Sequence, residues 1–311
     1  MEMSIDKVTK ASPEEWDKVW RGCDYATYFH SREWAEVWQD YTEGEIQPSP
    51  SLVYFTDGKK ALLPLSCHRS VKWLRRKHKY LSSPAGTYGG WLSDDVLDMS
   101  HAKLLGDYLL NDLGSLLWRI NPYDELAVNS GIVPSRQDET HAIELTPGFE
   151  AIFKGWTKGH RSAAKKAQRE GVEIRLARSP EDWEAYFLAY QDSLERWGNK
   201  ASSQYKRSLF DGMRSQRSQN ILLWLATFNG RVIAGCLCLY AKHHVAYWHG
   251  AAVEEYFKLR PVHLLVYEIV RNACDKNYQW FDFNPSGGHE GVMSFKKSFG
   301  AQPLPCPLFI K

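Results

Sequence analysis

The chain has 311 residues and a formal net charge of +2, enough length for one large or two ordinary domains, and the near balance of charge means that any nucleic-acid contact has to be local. Six scattered cysteines without a C-x-x-C pair and thirteen tryptophans argue against structural zinc, and for a reduced chain whose aromatic residues fill a core and line a cleft. No apolar run approaches the length of a bilayer span, and residues 1–10 lack the apolar centre of a signal peptide, which predicts a soluble, cytoplasmic protein.

In chain order, Ser12-Pro13-Glu14-Glu15-Trp16 announces the first helix, with Ser12 and Glu15 forming a capping box and Pro13 suited to the first turn. A second helix is predicted over 31–41, with Trp34, Val37, Trp38 and Tyr41 on one face. Leu52 to Phe55, the turn Asp57-Gly58, and Ala61 to Leu65 read as a hairpin, and Pro64 predicts an edge or a bulge in its second strand. A basic cluster from Arg69 to Lys79 reads as an exposed tip, and Tyr88-Gly89-Gly90 as a glycine-rich loop. A helix over 94–113 and strands over 116–120 and 141–145 complete the first half.

The second half repeats this outline. Ser179-Pro180-Glu181-Asp182-Trp183 is almost a copy of residues 12–16, and Thr227 to Cys236 parallels Tyr54 to Leu63. Two matches in register argue for a duplicated domain, divided as 1–147 and 148–311. Strands are predicted over 221–228, 232–240 and 245–249, and a helix from Pro261 to about Cys274. A closing strand over 304–310 is confined to an edge by Pro303, Pro305 and Pro307. Helices mixed with hairpin strands exclude a strict βαβ winding and predict an α+β fold, each domain a mixed, mostly antiparallel sheet flanked by helices.

Two stretches carry the chemistry. Lys154, Lys158, His160, Arg161, Lys165, Lys166 and Arg169 run without an acidic residue. On a helix, Arg161, Lys165 and Arg169 share one stripe, where like charges repel unless a phosphate-bearing ligand offsets them; a solvated basic face is the plainer reading. From Trp280 to Gly300 a short aromatic strand is broken at Asn284-Pro285-Ser286-Gly287-Gly288, and a helix over 291–298 stops at Gly300. A loop with exposed amides and a placed cation, Lys296, suits a developing negative charge. Asp282 and His249 are the candidate bases, with a structural role open for each. No Walker loop, dinucleotide fingerprint, H-E-x-x-H or G-x-S-x-G is present. His243 and His244, read as neighbours on one strand, make a poor metal pair, and no metal site is expected.

Phe281-Asp282-Phe283, Gly287-Gly288, Phe295-Lys296 and Phe299-Gly300 resemble the Fem-type branch of the GNAT acyltransferase superfamily. The resemblance implies tandem GNAT-like domains with a substrate cleft between them and no tightly bound cofactor. It implies that Lys296 meets the donor carbonyl, that Arg161 contacts phosphate and that Tyr88 and Gly89 lie near the acceptor cleft; Lys165 on the same stripe as Arg161, and Asn284, Ser286 and Phe295 around the loop, are the further substrate-binding candidates. The glycine-rich pyrophosphate loop of many acetyl-CoA-dependent relatives has no counterpart: Tyr256-Phe257-Lys258-Leu259-Arg260-Pro261 lacks glycine, and Pro261 lacks an amide donor. The expected reaction moves an activated acyl or aminoacyl group, with the acceptor end of aminoacyl-tRNA the favoured donor, onto a primary amine of a peptide or cell-wall-precursor-like acceptor, forming an amide. An acyl-CoA-dependent N-acyltransferase and a non-catalytic RNA-binding module are the alternatives.

Overall fold

A computed structural model describes residues 3–72, 75–198 and 204–311. Side chains at 70–77 also fall outside that description, so most of the Arg69 to Lys79 cluster does too. The chain divides into two compact units, Met1–Thr140 with Leu304–Lys311, and His141–Pro303.

The first unit runs β1 (Ile5–Lys10), α1 (Pro13–Gly22), α2 (Arg32–Tyr41), β2 (Ile46–Phe55), β3 (Lys60–Lys72), β4 (Arg75–Leu81), α3 (Met99–Asp107), β5 (Ser115–Arg119) and α4 (Glu125–Val128). The capping box at Ser12 and Glu15 is formed, with both reciprocal bonds in place. Alternation along the hairpin sorts its residues onto two faces: Leu52 and Leu62 pack with Trp16 and Val19 of α1, while Val53, Phe55, Leu63 and Leu65 pack with Ala102 and Leu105 of α3. The helix expected over 94–113 starts later, because Asp98 accepts from the amides of Ser100 and His101 and so caps α3, and it ends in a π turn at Tyr108–Asp112. Pro64 lies on an interior strand, not an edge. Leu62 exchanges backbone bonds with Leu92 at 2.7 and 2.8 Å and the β3–β4 ladder begins at Ser66, so the missing N–H falls in the gap between two pairings.

The second unit contains β6 (Glu139–Glu144), α5 (Phe149–Gly155), α6 (Lys158–Arg169), β7 (Glu173–Leu176), α7 (Pro180–Trp197), α8 (Arg207–Ser215), β8 (Ile221–Phe228), β9 (Arg231–Ala241), β10 (His244–Ala252), α9 (Pro261–Asp275), β11 (Trp280–Asp282) and α10 (Glu290–Lys297). His243 falls in the turn before β10 rather than on it. Two short strands close the chain, β12 (Gln302–Pro305) and β13 (Leu308–Ile310). At the position matching Glu15, Asp182 does not close a capping box; it takes the Arg175 guanidinium at 2.8 and 2.5 Å and the Arg178 amide at 2.7 Å. Leu264, Leu265, Ile269 and Ala273 of α9 pack on Cys236, Cys238 and Tyr240 of β9.

The sheets are ordered β1-β2-β3-β4-β5-β13 and β12-β6-β11-β10-β9-β8-β7. Read from β1 and from β7, their pairings run antiparallel three times, then parallel (β4–β5, β10–β11), then antiparallel. The repeat seen in the sequence is therefore a repeat of topology, with a mixed, mostly antiparallel sheet and flanking helices in each unit. The prolines split the expected closing strand into β12 and β13, both on sheet edges. Relative to a boundary at 147/148, β6 joins the second sheet beside β11, and residues 304–311 belong with the first unit. Among the described residues no helix is long and apolar enough to cross a membrane.

Candidate active site

β10 and β11 pair in parallel only from His244–Ala246 to Trp280–Asp282. Beyond that point β10 follows β9 to Ala252 while the chain leaves β11 into a loop, so the two strands part. Asn284 spans the start of the gap: its Nδ2 donates to the Tyr247 carbonyl at 2.7 Å. It holds a left-handed conformation (φ 62°), which asparagine tolerates better than most residues. Asp282, fully buried, supports that conformation by accepting from the Asn284 amide at 2.7 Å. Gly287 and Gly288 follow at φ 59° and 82°, also left-handed.

The loop leads into α10, which is anchored by aromatic rings. Phe299 meets Trp156 edge-on at 4.6 Å and stacks on Phe283 at 5.7 Å, and Phe295 packs on Phe299 at 4.9 Å. This places Lys296 inward, only 5% exposed. Its Nζ donates to the Asn284 carbonyl at 2.5 Å and to Ser286 Oγ at 2.8 Å. A buried lysine without such oxygens would cost several kcal/mol or lose its proton. Having turned its amide Nδ2 to Tyr247, Asn284 leaves Oδ1 buried with no hydrogen-bond partner among the described residues. A cation from α10 and an unfilled acceptor on the loop before it thus meet at Asn284.

Lys296, Asp282, Asn284, Ser286 and Phe295 come together at this loop and helix. Lys297, by contrast, is exposed. Arg161 is committed elsewhere in part: Nη1 donates to the carbonyls of Lys154 (2.6 Å) and Trp156, tying α6 to the end of α5. Lys165 is exposed and lies 5.9 Å from the Phe153 ring centroid. Tyr88 and Gly89 belong to the first unit. Tyr88 is fully buried between Phe29 and Tyr123, and a Cβ at Gly89 would lie 2.2 Å from the Ser82 carbonyl oxygen.

Two histidines join the basic helix to the Lys296 helix. His160 on α6 and His263 on α9 have ring centroids 4.7 Å apart, and both pack on Phe295 and Phe299. Burial, reinforced by the nearby Arg260, lowers the pKa of His160; burial, then His160 and Arg260, takes His263 down to about 4. No pattern in the sequence marked His263. Cavities open on both sides of α10. One of about 400 Å³ is lined by Thr157, Glu290, Met293, Ser294, Lys297 and Ser298. The other, about 210 Å³, lies between Phe257, Arg260, His263 and Phe295.

Residues 157–297 match the acetyltransferase (GNAT) domain family. The fold of the whole chain is similar to the crystal structure of FemX, with 12% identity over 98% of this chain and 97% of that one and a TM-score of 0.72. L-PGS from Bacillus licheniformis is similar at 13% identity over 96% and 91% of the two chains, with a TM-score of 0.56. So is the C-terminal domain (DUF2156) of a protein designated lysylphosphatidylglycerol synthetase from Agrobacterium fabrum, at 12% identity over 89% and 91%, with a TM-score of 0.55. No curated protein sequence matches the chain.

Proposed function

We propose that this chain, whose residues 157–297 match the acetyltransferase (GNAT) domain family and whose fold is similar to that of FemX, is an acyltransferase that moves an aminoacyl group from aminoacyl-tRNA to a primary amine of a peptide-like acceptor in the cytoplasm, forming an amide. The observation that carries the reading is the buried Lys296 Nζ, fixed on the Asn284 carbonyl and Ser286 Oγ beside the unfilled Asn284 Oδ1. As the amine attacks, the acyl carbonyl oxygen takes on negative charge, and a preorganised cation at that oxygen stabilises the transition state more than the ground state. The Asn284 Oδ1 would receive a substrate N–H, which replaces a lost hydrogen bond instead of adding one. Phosphate groups of the donor would lie along α6, whose Lys158, Lys165 and Arg169 are exposed.

A tRNA donor is favoured because α9 opens with Pro261, after Arg260 at φ 60°, and presents no glycine loop to a pyrophosphate. An acyl-CoA donor is the second reading, favoured by the cavity at Arg260 and His263 where α9 begins. The deciding experiment offers purified protein a mixed aminoacyl-tRNA pool or acetyl-CoA, with a lysine-containing pentapeptide as acceptor, and follows amide formation by mass spectrometry. Product from the tRNA pool alone supports the first reading, and product from acetyl-CoA alone replaces it with the second. Lys296→Met should lower kcat/KM by about 10²–10³-fold with donor affinity little changed. Undiminished turnover in that variant would remove Lys296 from the mechanism.

A further inference from the structure

His249 lies on β10 just beyond the point where β10 and β11 part, next to an irregularity in register between Tyr247 and His249. Its imidazole is held from beneath by Tyr186 of α7. That tyrosine is fully buried, and its ring occupies room left by Gly235, where a Cβ would stand 2.4 Å from ring carbon Cδ2. Tyr186 Oη is 2.5 Å from His249 Nδ1 and 3.2 Å from the His249 carbonyl oxygen. A phenol has one proton to give, and a carbonyl oxygen can only accept. With the Tyr186 proton directed to the carbonyl, Nδ1 carries the imidazole hydrogen and donates to Oη. The neutral ring then keeps its lone pair on Nε2.

Among the described residues, the other rings around the imidazole are aromatic. Tyr190 stands edge-on at 4.5 Å, Phe210 lies at 5.2 Å, and Tyr205 and Trp248 lie at 5.9 and 5.7 Å. The titratable groups among these neighbours are the hydroxyls of Tyr186, Tyr190 and Tyr205. Desolvation by these rings lowers the pKa of His249, so the ring is neutral through the physiological range and keeps a lone pair to accept with. Asp282, the other candidate base, is fully buried and already accepts from the Asn284 amide. His249 is only half-buried.

We propose that His249 Nε2 accepts the proton of the attacking amine. The proposal rests on the acyl-transfer reading. The amine lone pair forms the C–N bond and the carbonyl π pair moves to oxygen. The proton on the new C–N nitrogen, made acidic by that bond, passes to Nε2. When the tetrahedral centre collapses, the bond to the leaving oxygen or sulfur breaks, and that atom takes the proton from the imidazolium. Tyr186 is the positioning residue that sets the tautomer.

Nitrogen-15 NMR of the whole protein tests the tautomer, with the His249 signals identified by their loss in His249→Gln. The expected result is a protonated Nδ1 and a bare Nε2 from pH 8 to about pH 5, giving way to a tautomer mixture in Tyr186→Phe. A protonated Nε2 in the wild type overturns the proposal without any variant having to fold. In the amide-forming assay, His249→Gln should lose about 10²–10³-fold in kcat/KM, and His249→Gly should regain activity in proportion to added imidazole. Wild-type rates in His249→Gln overturn this proposal alone. Wild-type protein that forms no amide from either the tRNA pool or acetyl-CoA overturns the acyl-transfer reading and this proposal with it.

Discussion

Lys296 and Asn284 hold each other in place: the lysine Nζ lies 2.5 Å from the asparagine carbonyl oxygen, and the asparagine presents that oxygen from a left-handed conformation at φ 62°. The cation is positioned by backbone, and the backbone is positioned by the side chains of Asp282 and Asn284.

Two substitutions at Asn284 separate conformation from chemistry. Asn284→Gly keeps the left-handed backbone accessible, whereas Asn284→Ala adds about 1–2 kcal/mol of strain there. Both lose the bond to Tyr247 and the unfilled Oδ1. Thermal unfolding should therefore rank alanine below glycine, while both lose activity. Equal melting temperatures would mean that the loop does not enforce its conformation.

Gly89→Ala should be severely destabilising, by more than about 3 kcal/mol, because the new Cβ would meet a backbone carbonyl that cannot rotate away. Urea unfolding checks this. Near-wild-type stability would show that the Ser82 segment moves freely.

Asp182 links stability to acid. Chiefly through the Arg175 guanidinium, its pKa falls from 3.8 to about 2. A carboxylate more acidic in the folded chain contributes stability that is complete above the unfolded value of about 3.9 and is lost as pH falls through about 2. Asp182→Asn should lower the melting temperature near neutrality and flatten its dependence on pH between 4 and 2. A variant with the wild-type slope in that window would remove Asp182 as a source of the dependence.

If α6 carries the donor phosphates, exchanging Lys165 and Arg169 together for alanine should weaken tRNA binding and reduce the slope of log affinity against log salt by about 1–2. Filter binding over a range of salt concentrations measures it. An unchanged slope would leave α6 as a solvated basic face.

Much of the fold was readable from short-range chemistry. Ser12 and Glu15 fix the start of α1, Asp57-Gly58 turns the first hairpin, and Pro303, Pro305 and Pro307 keep the last segment on edges. These signals act within a few residues, through caps, turns and missing donors, and need no knowledge of the rest of the chain. The grouping of Lys296 with Asn284 and Ser286 was legible for the same reason, since the three lie within a single loop and helix.

What only the tertiary structure decided are the partnerships between distant residues. Nothing near β6 or β13 states which sheet will take it; that depends on which edge is left open once the other strands have paired. Arg161 looks free to hold phosphate until the Lys154 and Trp156 carbonyls are seen to take Nη1, and Tyr88 looks free to line a cleft until Phe29 and Tyr123 close over it. Tyr186 and His249, 63 positions apart, meet because α7 packs across β10. A sequence records the donors, acceptors and apolar faces a chain carries, but which of them satisfy one another is fixed only when packing brings them within hydrogen-bonding range.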